Sequence, residues 1–297
     1  MKTAILTVLA CLLPAEAAFA AGPIRALIID GQNNHDWKHT TPALKKILEN
    51  TGLFQVDVLT TPPKGGDFGT FKPQFASYQV VVGNYNEFPS GDKWPEDVKT
   101  AFERYLENGG GFVSYHAADN AFPEWPAYNL MIGIGGWLGR NEASGPYWYF
   151  QDGKLVSDPA PAPAGNHGAR TPFQVVARDT AHPIVKGLPK TWTHATDELY
   201  SKMRGPGKNM KVLATAFSDP GNRGTGHDEP MLLVLTYGKG RVFHTTLGHD
   251  VPAMECVGFM TTFARGTEWA ATGKVTQKAP ADFPAAGKAS TRPLGLE

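Results

Sequence analysis

Cysteine is nearly absent from this chain: 297 residues contain two, Cys11 and Cys256. Cys11 falls in an opening that reads as a secretory leader. Met1-Lys2 precedes an apolar run from Ala4 to Leu13, and Ala18-Phe19-Ala20 stands before Ala21 as a small-residue cleavage site. Residues 1–20 are therefore expected to be removed and the mature chain exported, to a periplasmic or extracellular location. With Cys256 left alone, an intrachain disulfide is excluded even in an oxidising compartment. Excess charge is also missing. Lysine plus arginine and aspartate plus glutamate each number 28, which removes the electrostatic case for nucleic acid or an anionic membrane as partner. No later stretch approaches the roughly 18 apolar residues of a membrane helix, so no membrane association is expected of the mature form. Three short motifs are absent too: a His-Glu-x-x-His metal helix, a dinucleotide glycine fingerprint, and a Gly-x-Ser-x-Gly elbow.

What is present begins with Gly109-Gly110-Gly111-Phe112-Val113-Ser114-Tyr115-His116-Ala117-Ala118: a glycine turn, an apolar strand, and a histidine where the strand ends. Open α/β sheets bind ligands outside the carboxyl ends of their strands, so a titratable residue there is a candidate functional group. The surrounding pattern fits such a sheet. Strand signals at Ile24–Ile29, Phe54–Leu59 and Tyr78–Val82 alternate with helical spacing after Thr41-Pro42 and from Lys93 to Asn108. The expectation is a mostly parallel, flavodoxin-like sheet flanked by helices.

Beyond Asp119 a long insertion rich in glycine, proline and aromatics reaches about Gly168 and reads as a pocket wall, with a helical signal only at Ala127–Ile132. Additional strands follow at Phe173–Ala177, Thr193–Leu199, Met210–Phe217, Pro230–Tyr237 and Gly240–Thr246, and a helix at Met254–Ala271 closes the domain. The boundaries predicted are one domain over 21–273 and a loosely ordered tail over 274–297, which is rich in proline, alanine and lysine and has no apolar period.

Several of the nine histidines stand beside acids or glycines, as in His35-Asp36 and Gly248-His249-Asp250. Two chemistries are open to them. His116 and His249 can exchange protons near neutrality, with Asp197 or Glu198 orienting them. Alternatively His116, His167 and His249, with a carboxylate such as Glu198, supply nitrogen and oxygen ligands to a divalent metal such as zinc. His35 and Trp37 follow the first strand, where the first loop of a doubly wound sheet meets ligand. Glu124-Trp125 offers a carboxylate for hydroxyls and an indole face for C–H groups. Tyr200 and Asp250 adjoin the acid and histidine clusters. His244 lies inside a strand and reads as a core histidine, and Cys256 as an inert buried thiol.

These blocks together resemble the ThuA-like family, associated with trehalose utilisation and related in fold to class I glutamine amidotransferases. The resemblance is carried by His35-Asp36-Trp37 with the Thr41-Pro42 helix start, the strand ending at His116, Phe122-Pro123-Glu124-Trp125, His182 to Leu188, Asp197-Glu198-Leu199-Tyr200, and Gly238 to Asp250. It implies an amidotransferase-like fold over Arg25 to Thr272 and a small-molecule carbohydrate, a glycoside or keto-sugar, as partner. Hydrolysis, elimination and isomerisation remain open, as does a non-catalytic sugar-binding role. Glutaminase chemistry does not fit, because the elbow cysteine of amidotransferases is replaced here by His116.

Overall fold

The computed structural model describes residues 22–296; the expected leader lies outside them. Eleven strands form one sheet. In chain order the elements are β1 (Ile24–Asp30), α1 (Trp37–Glu49), β2 (Phe54–Thr60), β3 (Val80–Gly83), α2 (Glu96–Glu107), β4 (Gly111–Tyr115), α3 (Pro126–Ile132), β5 (Tyr147–Gln151), β6 (Lys154–Asp158), β7 (Thr171–Ala177), β8 (Thr191–Asp197), β9 (Lys211–Phe217), β10 (Asp228–Tyr237), β11 (Gly240–Thr245), α4 (Val251–Met254) and α5 (Val257–Thr272). The order across the sheet is β2-β1-β3-β4-β11-β10-β9-β7-β8, with β5 and β6 joined through β10.

The parallel pairings are confined to β2-β1-β3-β4-β11. Every other pairing is antiparallel, so the sheet is mostly antiparallel and the expected mostly parallel flavodoxin-like arrangement is not what forms. The reason lies in the connections. A parallel neighbour needs a crossover of a dozen or more residues, usually a helix. The chain supplies α1, α2 and α5 around the buried strands Ala26–Ile29, Val80–Val82 and Phe112–Val113. Between Thr171 and Thr245 it supplies no α-helix; β8, β10 and β11 each pair antiparallel with the strand before them, and β9 lies beside β7.

Two apolar layers cover the sheet. One packs Leu44, Ile47 and Leu48 of α1 and Phe259 and Phe263 of α5 on one face; the other packs Val98, Phe102 and Leu106 of α2 and Tyr128 and Met131 of α3 on the opposite face. The insertion contains a hairpin, β5-β6, turned at Asp152-Gly153 with φ of 52° and 75°. Two positive φ values in a two-residue loop match a type I′ turn.

The segment after Gly273 is packed against the body, contrary to the expected loose tail. Leu294 is buried, Phe283 packs on Trp192, and the Val257 and Arg292 amides donate to Ser290 and Glu255 carbonyls. Glu268 accepts from the amide and hydroxyl of Thr276 and from Gln277. A few anchors and one buried acid hold this stretch without any periodic apolar face.

Candidate functional site

Four loops leave the carboxyl ends of β1, β4, β8 and β11 and bring His35, His116, Glu198 and His249 together. One ligand atom from each lies within 4.8 Å of all the others. Two of the loops have unusual backbone at the site. His116 sits immediately after β4 with φ of 42°, a left-handed conformation uncommon outside glycine and characteristic of sites where a side chain is aimed by the backbone. His249 follows Gly248, whose φ of 100° and lack of a side chain admit the rings of Phe259 and Tyr115 against it. The Gly248 carbonyl accepts from the Tyr115 hydroxyl.

The imidazoles are arranged edge to face, with ring centres 4.9 Å apart for His35 and His116 and 4.7 Å for His35 and His249. His116 is fully buried, and its Nδ1–H donates to the Thr246 carbonyl at 2.6 Å. That bond fixes the tautomer and leaves a lone pair on Nε2, which has no hydrogen-bond partner. Burial, reinforced by the neighbouring His35, lowers His116 to about 3, so the ring stays neutral. Burial alone would raise Glu198, but His249, His35 and His116 outweigh it and hold its carboxyl well below the usual range. His249 moves the other way: burial lowers it and the Glu198 carboxylate raises it further than burial lowers it.

The distances have the form of a coordination shell. Glu198 Oε2 lies 3.9 Å from His35 Nε2, 3.9 Å from His116 Nε2 and 3.2 Å from His249 Nδ1. A tetrahedral ion with bonds of about 2.0–2.1 Å separates its ligands by about 3.3–3.4 Å. The three spacings bracket that edge. His249 Nδ1 is close to the carboxylate yet off hydrogen-bonding geometry. The donor set also has the outer contacts typical of metal ligands, above all the Thr246 carbonyl behind His116.

Asp197 lies behind the cluster and is fully buried, receiving Gly248 N, His249 N and His194 Nε2. Burial would raise its carboxyl, but His194 outweighs this and lowers it. Beside the four ligands opens a cavity of about 240 Å³ walled in part by Asn120, Trp137, His167 and Tyr200. Trp137 and Leu138 have consecutive positive φ values of 52° and 45°, and the indole meets the Tyr200 ring at 4.7 Å. The Asn120 side-chain oxygen, Oδ1, is buried without a partner. A larger groove, about 780 Å³, opens at the other end of the strands by Gly110 and Arg241, away from the histidines.

The structure sorts the residues expected from sequence. His116, His249, Glu198, His35 and Tyr200 share the site. His167 borders the cavity, with Nδ1 3.7 Å from Glu198, but it is outside the four-atom cluster; the third imidazole of the cluster is His35. Trp37 opens α1 under the Lys38 ammonium and does not line the cavity. Asp250 caps α4 through the Ala253 amide and pairs with Arg170. Glu124 pairs with Lys93 on the surface, and the Trp125 indole is buried, donating to Glu103 at 2.6 Å. Neither reaches the cavity, because Pro123-Glu124 carries the chain out over α2. Asn120 and Trp137 were not foreseen. A glycine-flanked tryptophan, Gly135-Gly136-Trp137-Leu138-Gly139, was the available signal for the second.

The family model described as ThuA, trehalose utilisation, matches residues 25–270. The chain belongs to the ThuA family. A ThuA-like protein from Parabacteroides merdae is 51% identical over 91% of this chain and 98% of its own, with a TM-score of 0.88. A second, from Bacteroides uniformis, shares the fold at 21% identity and a TM-score of 0.56, covering 88% of this chain and 96% of that one. No curated protein matches the chain. Among the described residues of this ThuA-family chain, no helix is long and apolar enough to cross a membrane.

Proposed function

We propose that this ThuA-family protein is an exported enzyme that uses a divalent cation, such as zinc, in acid/base chemistry on a sugar. The observation that carries the reading is the convergence of three imidazole nitrogens on Glu198 Oε2, with His116 Nε2 and His249 Nδ1 both buried and without hydrogen-bond partners. Unpaired buried nitrogens are costly unless something else occupies their lone pairs. Export rests on the leader-like opening, and the sugar on the family association.

A bound dication supplies charge to polarise a carbonyl or hydroxyl oxygen and to acidify a bound water. The chain's own residues divide the remaining work. His35, His116, Glu198 and His249 hold the ion. His167 donates through Nδ1 to the Gly168 carbonyl at 2.9 Å, which leaves Nε2 to accept or return a proton. Trp137 offers its face to the apolar side of a sugar ring, and the Asn120 amide takes a hydroxyl. The cavity suits one hexose ring, leaving any second ring at the mouth.

Elemental analysis of purified protein tests this. Wild type should carry about one equivalent of metal, and His116→Ala essentially none. Turnover of a keto-sugar should disappear with chelation and return with zinc. Metal-free wild type that also fails to take up zinc sinks the reading and leaves sugar binding alone.

A further inference from the structure

Two of the four site residues, Glu198 and His249, are 51 positions apart, and a single buried carboxylate joins their backbones. Asp197 Oδ1 accepts from the Glu198 amide at 2.8 Å and the His249 amide at 3.0 Å; Oδ2 accepts from the Gly248 amide at 2.7 Å and from His194 Nε2 at 2.7 Å. Asp197 and His194 both have zero exposure, so water is not available to replace any of these four bonds. The Gly248 peptide is gripped from its other side as well, by Tyr115.

We infer that Asp197 is a positioning residue: it sets the spacing between Glu198 and His249, and His194 holds Asp197 in the orientation that does so. This rests on the reading of the cluster as a cation site. Asp197 does not line the cavity and hydrogen-bonds no ligand side chain, so its hold on the spacing passes through the two peptide segments. The carboxylate is required because all four neighbours are N–H donors. An amide at this position places two hydrogens against one pair of them, so the His249 amide or the adjoining Gly248 amide must turn or withdraw, and His249 moves in either case. His194 enters as the donor to Asp197 Oδ2.

The test compares wild type with Asp197→Asn, His194→Leu and His194→Gln, whose amide keeps an N–H donor. Two readouts are taken: affinity for zinc alone by competition with a chromophoric chelator, and the crystal structure of each variant. Asp197→Asn and His194→Leu should bind zinc 10- to 100-fold more weakly, the usual effect of removing an outer-shell partner, while His194→Gln stays within about threefold of wild type. In the Asp197→Asn crystal, His249 should be displaced relative to Glu198. Zinc affinity for Asp197→Asn within twofold of wild type overturns the inference, as does an unmoved His249. If Asp197→Asn does not fold, the two His194 variants decide, and equal affinity in Leu and Gln is the refuting result. If wild type itself ignores zinc, the cation reading has failed, and the position of His249 alone judges Asp197.

Discussion

Replacing His116 with glutamine is the sharpest perturbation of the site. In the proposed site the ring contributes one of four ligand atoms. Structural zinc sites bind with about 10–16 kcal/mol, or about 3 kcal/mol for each of four ligands. Because about 1.4 kcal/mol is a factor of ten, loss of one ligand weakens binding by about a hundredfold. The assay is thermal unfolding with and without zinc, reading the shift rather than the absolute Tm, because the substitution also alters the bond to Thr246. With zinc at about a hundred times Kd, wild type gains about 2.7 kcal/mol. At about 2–4 °C per kcal/mol, that is about 5–10 °C. The same zinc is then near Kd for His116→Gln, so the gain falls to about 0.4 kcal/mol and the shift to about 1 °C. Equal shifts in the two proteins would refute the assignment of His116 Nε2 as a ligand.

Other expectations concern the body of the fold. Glu229 is buried, with Oε1 accepting from Thr225 and Tyr147 and Oε2 unpartnered; burial raises it to about 8. Its folded pKa lies above its unfolded value, so the neutral acid stabilises the fold at low pH and that contribution fades between about pH 5 and 8. Denaturant titrations should show wild type losing up to about 1.4 kcal/mol per pH unit more than Glu229→Gln across that window, and parallel curves would contradict it. Gly266→Ala should destabilise: alanine favours a helix by about 1 kcal/mol, but its Cβ would stand 2.1 Å from the Phe243 ring, and overpacking costs about 1–3 kcal/mol. A raised Tm would show the ring yields. Glu124→Ala removes an exposed pair and should leave stability within about 0.5 kcal/mol and zinc affinity unchanged. A loss of zinc would bring Glu124 back to the site.

How much of this was legible follows from which residues announce themselves. Buried runs such as Ala26–Ile29 and Val80–Val82, punctuated by glycine and proline, located the strands to within a few residues. His116 was visible because a polar ring ended an apolar strand, and His249 because glycine preceded it. The antiparallel half escapes the reading although its mark is present: between Thr171 and Thr245 no segment with helical spacing separates the strands, and a parallel neighbour is usually reached through a helix. The β5-β6 hairpin was lost in the insertion despite Asp152-Gly153 between two aromatic or aliphatic runs, a strong hairpin signal. Trp125 and Glu124 had the right chemistry for a sugar, and only packing against Glu103 and Lys93 diverts them. Asn120 carries no local mark; its importance comes from having no partner, which only the assembled structure shows.

The sheet order has a consequence for how the molecule assembles. Strand β8 lies at the far edge, four places from β11, yet Asp197 at its end grips Gly248 just beyond β11. The antiparallel limb therefore has to curl back over the parallel one before the four ligands meet. Contacts this distant in sequence form late, after the loop-closure cost has been met. An ion that needs all four ligands finds no partner in a half-folded chain. Zinc should then leave the refolding rate nearly unchanged and slow unfolding, which makes the bound ion a latch on a finished structure rather than a nucleus for one.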